Sequence, residues 1–202
     1  MDLPVPELEG YRAEKAMLFF SQVLQQYPSV EFVVKAEDGA YLQPQRLLMA
    51  ADQWAAMQAD YIGCMGFSKV ANSARRLTHE RYAHLLSAEY PMRALNPIYV
   101  LSRRAVESVA RNAGRLRLLG GADDTSVALW MLRITSKYFD DQRLCATACR
   151  NNTVAVVSPR RPEGLDARRL ASTAVNSECA AEAAWPLPYS ARGDPELLKQ
   201  RI

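Results

Sequence analysis

Four carboxylates in two adjacent pairs are the residues of this sequence best suited to chemistry: Glu37 with Asp38, and Asp123 with Asp124. Acidic residues at the end of a strand can hold a hard divalent cation, which neutralises a diphosphate, while a separate carboxylate serves as a general base. Each pair also has an ordinary structural reading, because acidic turns are solvated and acidic residues at a helix start cap backbone amides. His79 and His84 are too few for a metal cluster and read as loop or surface residues. The cysteines Cys64, Cys145, Cys149 and Cys179 lack the paired CxxC spacings of a zinc site, which leaves a lumenal disulfide and free thiols both open.

These groups need elements to position them. Arg12 to Gln26 carries apolar residues at Ala16, Leu18, Phe19, Phe20, Val23 and Leu24, a broad helical face that Pro28 stops. The β-branched and aromatic run Val30 to Val34 predicts a strand leading into the acidic turn at Glu37, Asp38 and Gly39. Pro44 opens a second helix to about Gln58, with Leu47, Leu48, Ala51, Trp54 and Ala55 as its expected buried stripe. Tyr61 to Met65 and Ile98 to Leu101 read as strands, separated by a polar stretch, and a helix follows from Ser102 to about Asn112. Asp123 and Asp124 begin another helix through Val127, Leu129, Trp130 and Leu132, where carboxylates suit the positive end of the helix dipole. Ile134 to Phe139 and Val154 to Val157 are the last expected strands, and Arg160 to Ile202, without periodicity, is expected to be poorly ordered. Alternating strands and helices predict an α/β domain.

Composition narrows the function. With 202 residues, 49% of them hydrophobic, the chain suffices for one ordinary core. Its net charge of +3 is scattered without a dense basic run, which argues against nucleic acid. No apolar stretch approaches the roughly 20 residues that span a bilayer. Asn151-Asn152-Thr153 matches the acceptor pattern for N-glycosylation.

Five blocks of the sequence, taken in order, sharpen the reading. Glu9-Gly10-Tyr11, a helix, and EFVVKAEDGAYL at Glu31 to Leu42 come first; YIGCM at Tyr61 to Met65 and IYVLSRRAVESVA at Ile98 to Ala110 follow; DDTSVALW at Asp123 to Trp130 and FDDQRLC at Phe139 to Cys145 close the series. Together they resemble the β-1,3-galactosyltransferases of glycosyltransferase family 31, plant or algal in type, over about Leu8 to Val157. The resemblance implies part of a GT-A type fold, a mixed sheet flanked by helices. It divides the chain into a transferase domain over 8–157, without its upstream uridine-binding half, and a tail over 158–202. A C-terminal catalytic portion is therefore expected, without the family's membrane anchor.

The implied activity is transfer of a hexose, galactose first among the choices, from UDP-galactose or another UDP-sugar to a hydroxyl of a glycan or glycoprotein. The product linkage is β-1,3, formed with inversion, on the lumenal side of the Golgi membrane. By its place in the motif Asp124 is the catalytic base. Lys35, Glu37, Asp38 and Asp123 are the donor-binding residues, and Asp38 with Glu37 would hold a manganese ion (Mn2+). The chain departs from the family in three places: Gly39 replaces the third aspartate of the metal motif, Leu95-Asn96-Pro97 replaces a glycine-rich approach to the Ile98 strand, and Tyr138 stands where plant-type members often carry histidine. Gly39 and Pro97 define the alternative, a catalytically impaired relative acting as a glycan-binding or partner-binding module.

Overall fold

The computed structural model describes residues 12–37, 40–70, 80, 82–119, 123–134, 136–148, 150 and 152–157, and of Asn96 and Pro97 only the backbone. The N-terminal Glu9-Gly10-Tyr11 block, Asp38, Gly39, His79, Cys149, Asn151, Cys179 and the tail over 158–202 lie outside the described residues. The architecture is α/β, as expected: helices α1 (Arg12–Gln26), α2 (Pro44–Ala56), α3 (Arg103–Asn112) and α4 (Asp123–Arg133) alternate with strands β1 (Phe32–Ala36), β2 (Ala40–Leu42), β3 (Tyr61–Gly66), β4 (Arg93–Ser102), β5 (Tyr138–Asp140) and β6 (Ala155–Val157). Two compact units are built from these, each from discontinuous stretches.

The first unit comprises Met1–Val33, Met65–Leu95 and Leu101–Ser136. Helix α1 packs on α3 and α4. It does so through Ala13, Ala16, Phe20 and Val23, which recur at helical spacing and are buried, while Leu18, Phe19 and Leu24 are half-buried. Beyond Gln26 the chain turns at Pro28, whose carbonyl accepts a hydrogen bond from Arg103 Nη1. Ser102 caps α3, its Oγ accepting from the Ala105 amide at 3.2 Å, and Arg103 pairs with Glu107 one turn on. The loop before α4 is laced to that helix at two points: Trp130 Nε1 donates to the Arg117 carbonyl, and the Leu119 amide donates to Ser126 Oγ, each at 2.8 Å.

The second unit comprises Val34–Cys64, Asn96–Val100 and Lys137–Ile202. The main sheet has the order β1-β4-β3-β5, with β3 and β5 parallel and Tyr61 opposite Tyr138; β2 and β6 form a separate antiparallel pair. A row of rings crosses the sheet, Tyr99 edge-on to Tyr61 and Tyr61 tilted onto Tyr138.

Helix α2 corrects the expected stripe. Its buried residues are Arg46, Ala50 and Trp54, and Leu48 is 70% exposed. The face is rotated because Arg46 is consumed inside, its Nη1 donating to the carbonyls of Arg150 at 2.7 Å and Thr153 at 3.1 Å. An arginine that satisfies buried carbonyls belongs to the interior, and apolar residues beside it are displaced outward. Strand β4 is also longer than expected, running from Arg93 rather than from Ile98, so Leu95, Asn96 and Pro97 lie within the strand. Proline's fixed φ suits extended backbone, so Pro97 does not break the strand. The end of the Leu95 side chain lies where a Cβ at Gly66 would fall, so a larger residue there would turn Leu95 aside.

The open question about the thiols has an answer: Cys64, in β3, is joined to Cys145 by a disulfide closing 81 residues of chain. Closing a loop of that length removes unfolded-chain entropy worth roughly 4 kcal/mol. Reduction, or Cys64→Ser with Cys145→Ser, is expected to lower the thermal midpoint by about 10 °C, measured by circular dichroism with and without dithiothreitol. A midpoint indifferent to reductant in the unsubstituted protein contradicts this.

Candidate functional site

Asp123 and Asp124 occupy the first turn of α4, as expected. Asp123 points inward and is 3% exposed. Arg93 Nε donates to Asp124 Oδ2 at 2.8 Å, the Thr125 backbone amide also acts on this carboxylate, and Oδ1 is out of solvent without a hydrogen-bond partner among the described residues. Burial pushes the Asp124 carboxyl above the ordinary aspartate range, with the Arg93 guanidinium pulling the other way and the neighbouring Asp123 adding to the rise. A raised proton affinity of this kind makes Asp124 a candidate proton acceptor.

The other expected site residues lie on and after β1. Lys35 Nζ is 3.1 Å from Glu37 Oε1 and 5.7 Å from the centre of the Tyr99 ring. Glu37 is thus partnered by an ammonium just ahead of Asp38, which lies outside the described residues. Among the described residues no three His, Cys, Asp or Glu side chains converge to hold a metal ion. Of the motif's two carboxylates only Glu37 lies among the described residues, and it is paired with Lys35. Tyr138 is buried in β5 with its hydroxyl lacking a hydrogen-bond partner among the described residues, and burial pushes that phenol up to about 12.

No local pattern points to Arg93, which lies 31 positions from its carboxylate, or to the core under FDDQRLC. Asp141 and Arg143 are both fully buried. Asp141 Oδ1 accepts from Arg143 Nε at 2.8 Å and from the Arg143 amide at 3.1 Å, and Oδ2 accepts from Arg143 Nη2 at 2.6 Å and Trp54 Nε1 at 2.9 Å. Arg143 Nη1 donates to Gln53 Oε1 at 2.6 Å. The Asp141 amide donates to the Gly63 carbonyl, so the network clamps the segment after β5 onto β3, beside the disulfide.

The family model described as Galactosyltransferase matches residues 10–142. The chain belongs to the galactosyltransferase family. Among curated members of that family it is 32% identical over 153 residues to the probable beta-1,3-galactosyltransferase 12 of Arabidopsis thaliana, covering 75% of this chain and 40% of that protein. Identity to the probable beta-1,3-galactosyltransferase 13 of the same plant is also 32%, over 152 residues, with 75% and 44% covered. The hydroxyproline O-galactosyltransferase HPGT3, again from Arabidopsis thaliana, is 30% identical over 154 residues, with 75% and 44% covered. The chain therefore spans less than half the length of these galactosyltransferase relatives. The match includes Lys35, Glu37, Asp38, Asp123, Asp124 and the Asp141 end of the buried clamp.

Proposed function

We propose that this chain is the catalytic portion of an inverting UDP-sugar-dependent hexosyltransferase, moving galactose to a glycan or glycoprotein hydroxyl in a β-1,3 linkage. The observation that carries the reading is the Asp124 carboxylate, held through Oδ2 with Oδ1 lacking a hydrogen-bond partner among the described residues. In this mechanism the acceptor hydroxyl donates to Asp124 Oδ1, its oxygen attacks the anomeric carbon, and the bond from that carbon to the UDP oxygen breaks with both electrons leaving on UDP. Asp124 keeps the acceptor's proton, and attack from the face opposite the leaving group inverts the configuration. Lys35, Glu37, Asp38 and Asp123 are the proposed donor-binding residues.

Manganese at Asp38 and Glu37 belongs to this proposal, since a divalent cation there would neutralise the departing diphosphate. Chelation is expected to abolish transfer and manganese to restore it. Gly39→Asp, by adding a third carboxylate, is expected to lower the manganese concentration required, read as half-saturating metal in the same assay. Residence in the Golgi lumen is proposed with support from the Cys64–Cys145 disulfide, a bond that persists in oxidising compartments. Among the described residues no helix is long and apolar enough to cross a membrane.

A second reading, a glycan-binding or partner-binding relative without turnover, is favoured by Gly39 and by the withdrawal of Asp124 Oδ1 from solvent. Product analysis separates the two. Full-length protein is supplied with UDP-galactose or UDP-N-acetylglucosamine and a panel of β-linked sugars and glycopeptides, and the products are read by nuclear magnetic resonance. A β-anomeric galactose on the acceptor's 3-hydroxyl supports the transferase; acceptor binding without any new glycosidic bond supports the module.

A further inference from the structure

We propose that Arg93 is the positioning residue of the transferase: it grips Asp124 by one oxygen so that the other is presented to the acceptor hydroxyl. The inference rests on the transferase reading above. Its basis is the way Arg93 is itself held. The guanidinium stacks 5.1 Å from the centre of the Tyr90 ring, its Nη1 donates to Ser68 Oγ at 2.7 Å, and its Nε donates to Asp124 Oδ2 at 2.8 Å. Ser68 and Tyr90 are in turn tied to each other, the Tyr90 amide donating to the Ser68 carbonyl at 2.9 Å and the Val70 amide to the Ala88 carbonyl at 3.0 Å, around the antiparallel bridge of Lys69 with Glu89. Tyr90 is buried with Val70 and Leu119. The arginine thus stands on a small built platform, with three contacts of different kind fixing its plane.

The form of the contact argues for positioning over simple charge compensation. An arginine that serves only to neutralise a buried carboxylate does best with two parallel N–H bonds, one to each oxygen. Here a single N–H reaches a single oxygen, and a second arm of the guanidinium is spent on Ser68. The pair is shielded, with side-chain exposures of 11% and 18%, so the carboxylate has little freedom to turn. Among the described residues nothing hydrogen-bonds Oδ1, and a buried oxygen left in that state is tolerated where a ligand group fills the position. The acceptor hydroxyl is the donor that the mechanism brings there.

The test compares pH profiles of kcat for full-length protein, Arg93→Gln and Arg93→Lys, with donor KM measured alongside. The charged groups facing Asp124 among the described residues are Arg93 from β4 and Asp123 from its own helix. Arg93 opposes the effect of burial, so Arg93→Gln is expected to move the acid limb of the profile to higher pH and to lower kcat by roughly 100-fold with little change in donor KM. Arg93→Lys keeps the charge and loses the planar grip; its limb stays near the original position while kcat remains low. A uniform loss in Arg93→Gln with the acid limb unmoved overturns the proposal and leaves a structural ion pair. Independently of turnover, the Asp124 side-chain carboxyl carbon is titrated by 13C resonance, assigned through Asp124→Asn. Its midpoint is expected to rise in Arg93→Gln, and an unchanged midpoint overturns the proposal. If the Asp124 midpoint rises in Arg93→Gln while the unsubstituted protein shows no turnover, the transferase reading falls and Arg93 with it becomes a structural partner. Should Arg93→Gln fail to fold, Ser68→Ala frees Nη1 and keeps the charge: kcat is expected to fall with donor KM unchanged, and an unaltered kcat overturns the proposal.

Discussion

Asp124→Asn lowers turnover by roughly 10²–10⁴-fold at neutral pH, the usual contribution of a positioned general base, while the protein keeps its fold. Asparagine is nearly the same shape and retains an oxygen for Arg93 Nε, so the substitution removes proton affinity and leaves the packing of α4 in place. A folded protein with unchanged kcat assigns the proton to another group. The sign of the pH dependence follows from burial. The Asp124 carboxyl is raised, so the ionised form that the proposed mechanism uses is lost as pH falls through a midpoint above the ordinary aspartate value of about 3.9. Protonation also favours the folded state at this position. Its contribution to stability is full below the unfolded-chain value and is lost as pH rises through the folded one, opposite in direction to activity.

Arg143→Ala destabilises the protein by about 3–5 kcal/mol, the cost of stranding a buried carboxylate. Both members of the Asp141–Arg143 pair are fully shielded, and the arginine supplies three of the four hydrogen bonds that Asp141 accepts. Alanine retains the backbone amide but removes two of these bonds and the bond from Arg143 Nη1 to Gln53 Oε1. Trp54 loses a correctly held acceptor at the same time. Urea unfolding of the oxidised protein measures the effect, and a loss under 1 kcal/mol shows that the clamp contributes orientation without stability. Because Cys145 follows Arg143 by two residues, the effects of Arg143→Ala and of reduction are expected to be non-additive.

Legibility differed between the fold and the site for physical reasons. Helical periodicity is local, so α1, α3 and α4 could be read to within a residue or two, with Ser102 and Asp123 marking their starts. Helix α2 was placed correctly and oriented wrongly, because Arg46 reads as surface until its carbonyl partners, more than a hundred residues away, are brought to it. For the same reason the sequence left the cysteines undecided: the pairing of Cys64 with Cys145 depends on β3 lying beside β5. The place of Asp124 at a helix start was legible, and its role as base is what the family motif implies. Arg93 was not legible, since a bond across 31 residues leaves no periodic trace. FDDQRLC was legible as a block, but its spacing does not tell that Asp141 and Arg143 build a core.

The central claim is best tested by acceptor-dependent release of UDP from UDP-galactose by the full-length protein, with manganese present and a β-linked sugar as acceptor. Release is expected to require both acceptor and metal and to disappear in Asp124→Asn. A folded, disulfide-bonded protein that binds the acceptor and releases no UDP, with Gly39→Asp equally silent, would contradict it and leave the glycan-binding reading standing.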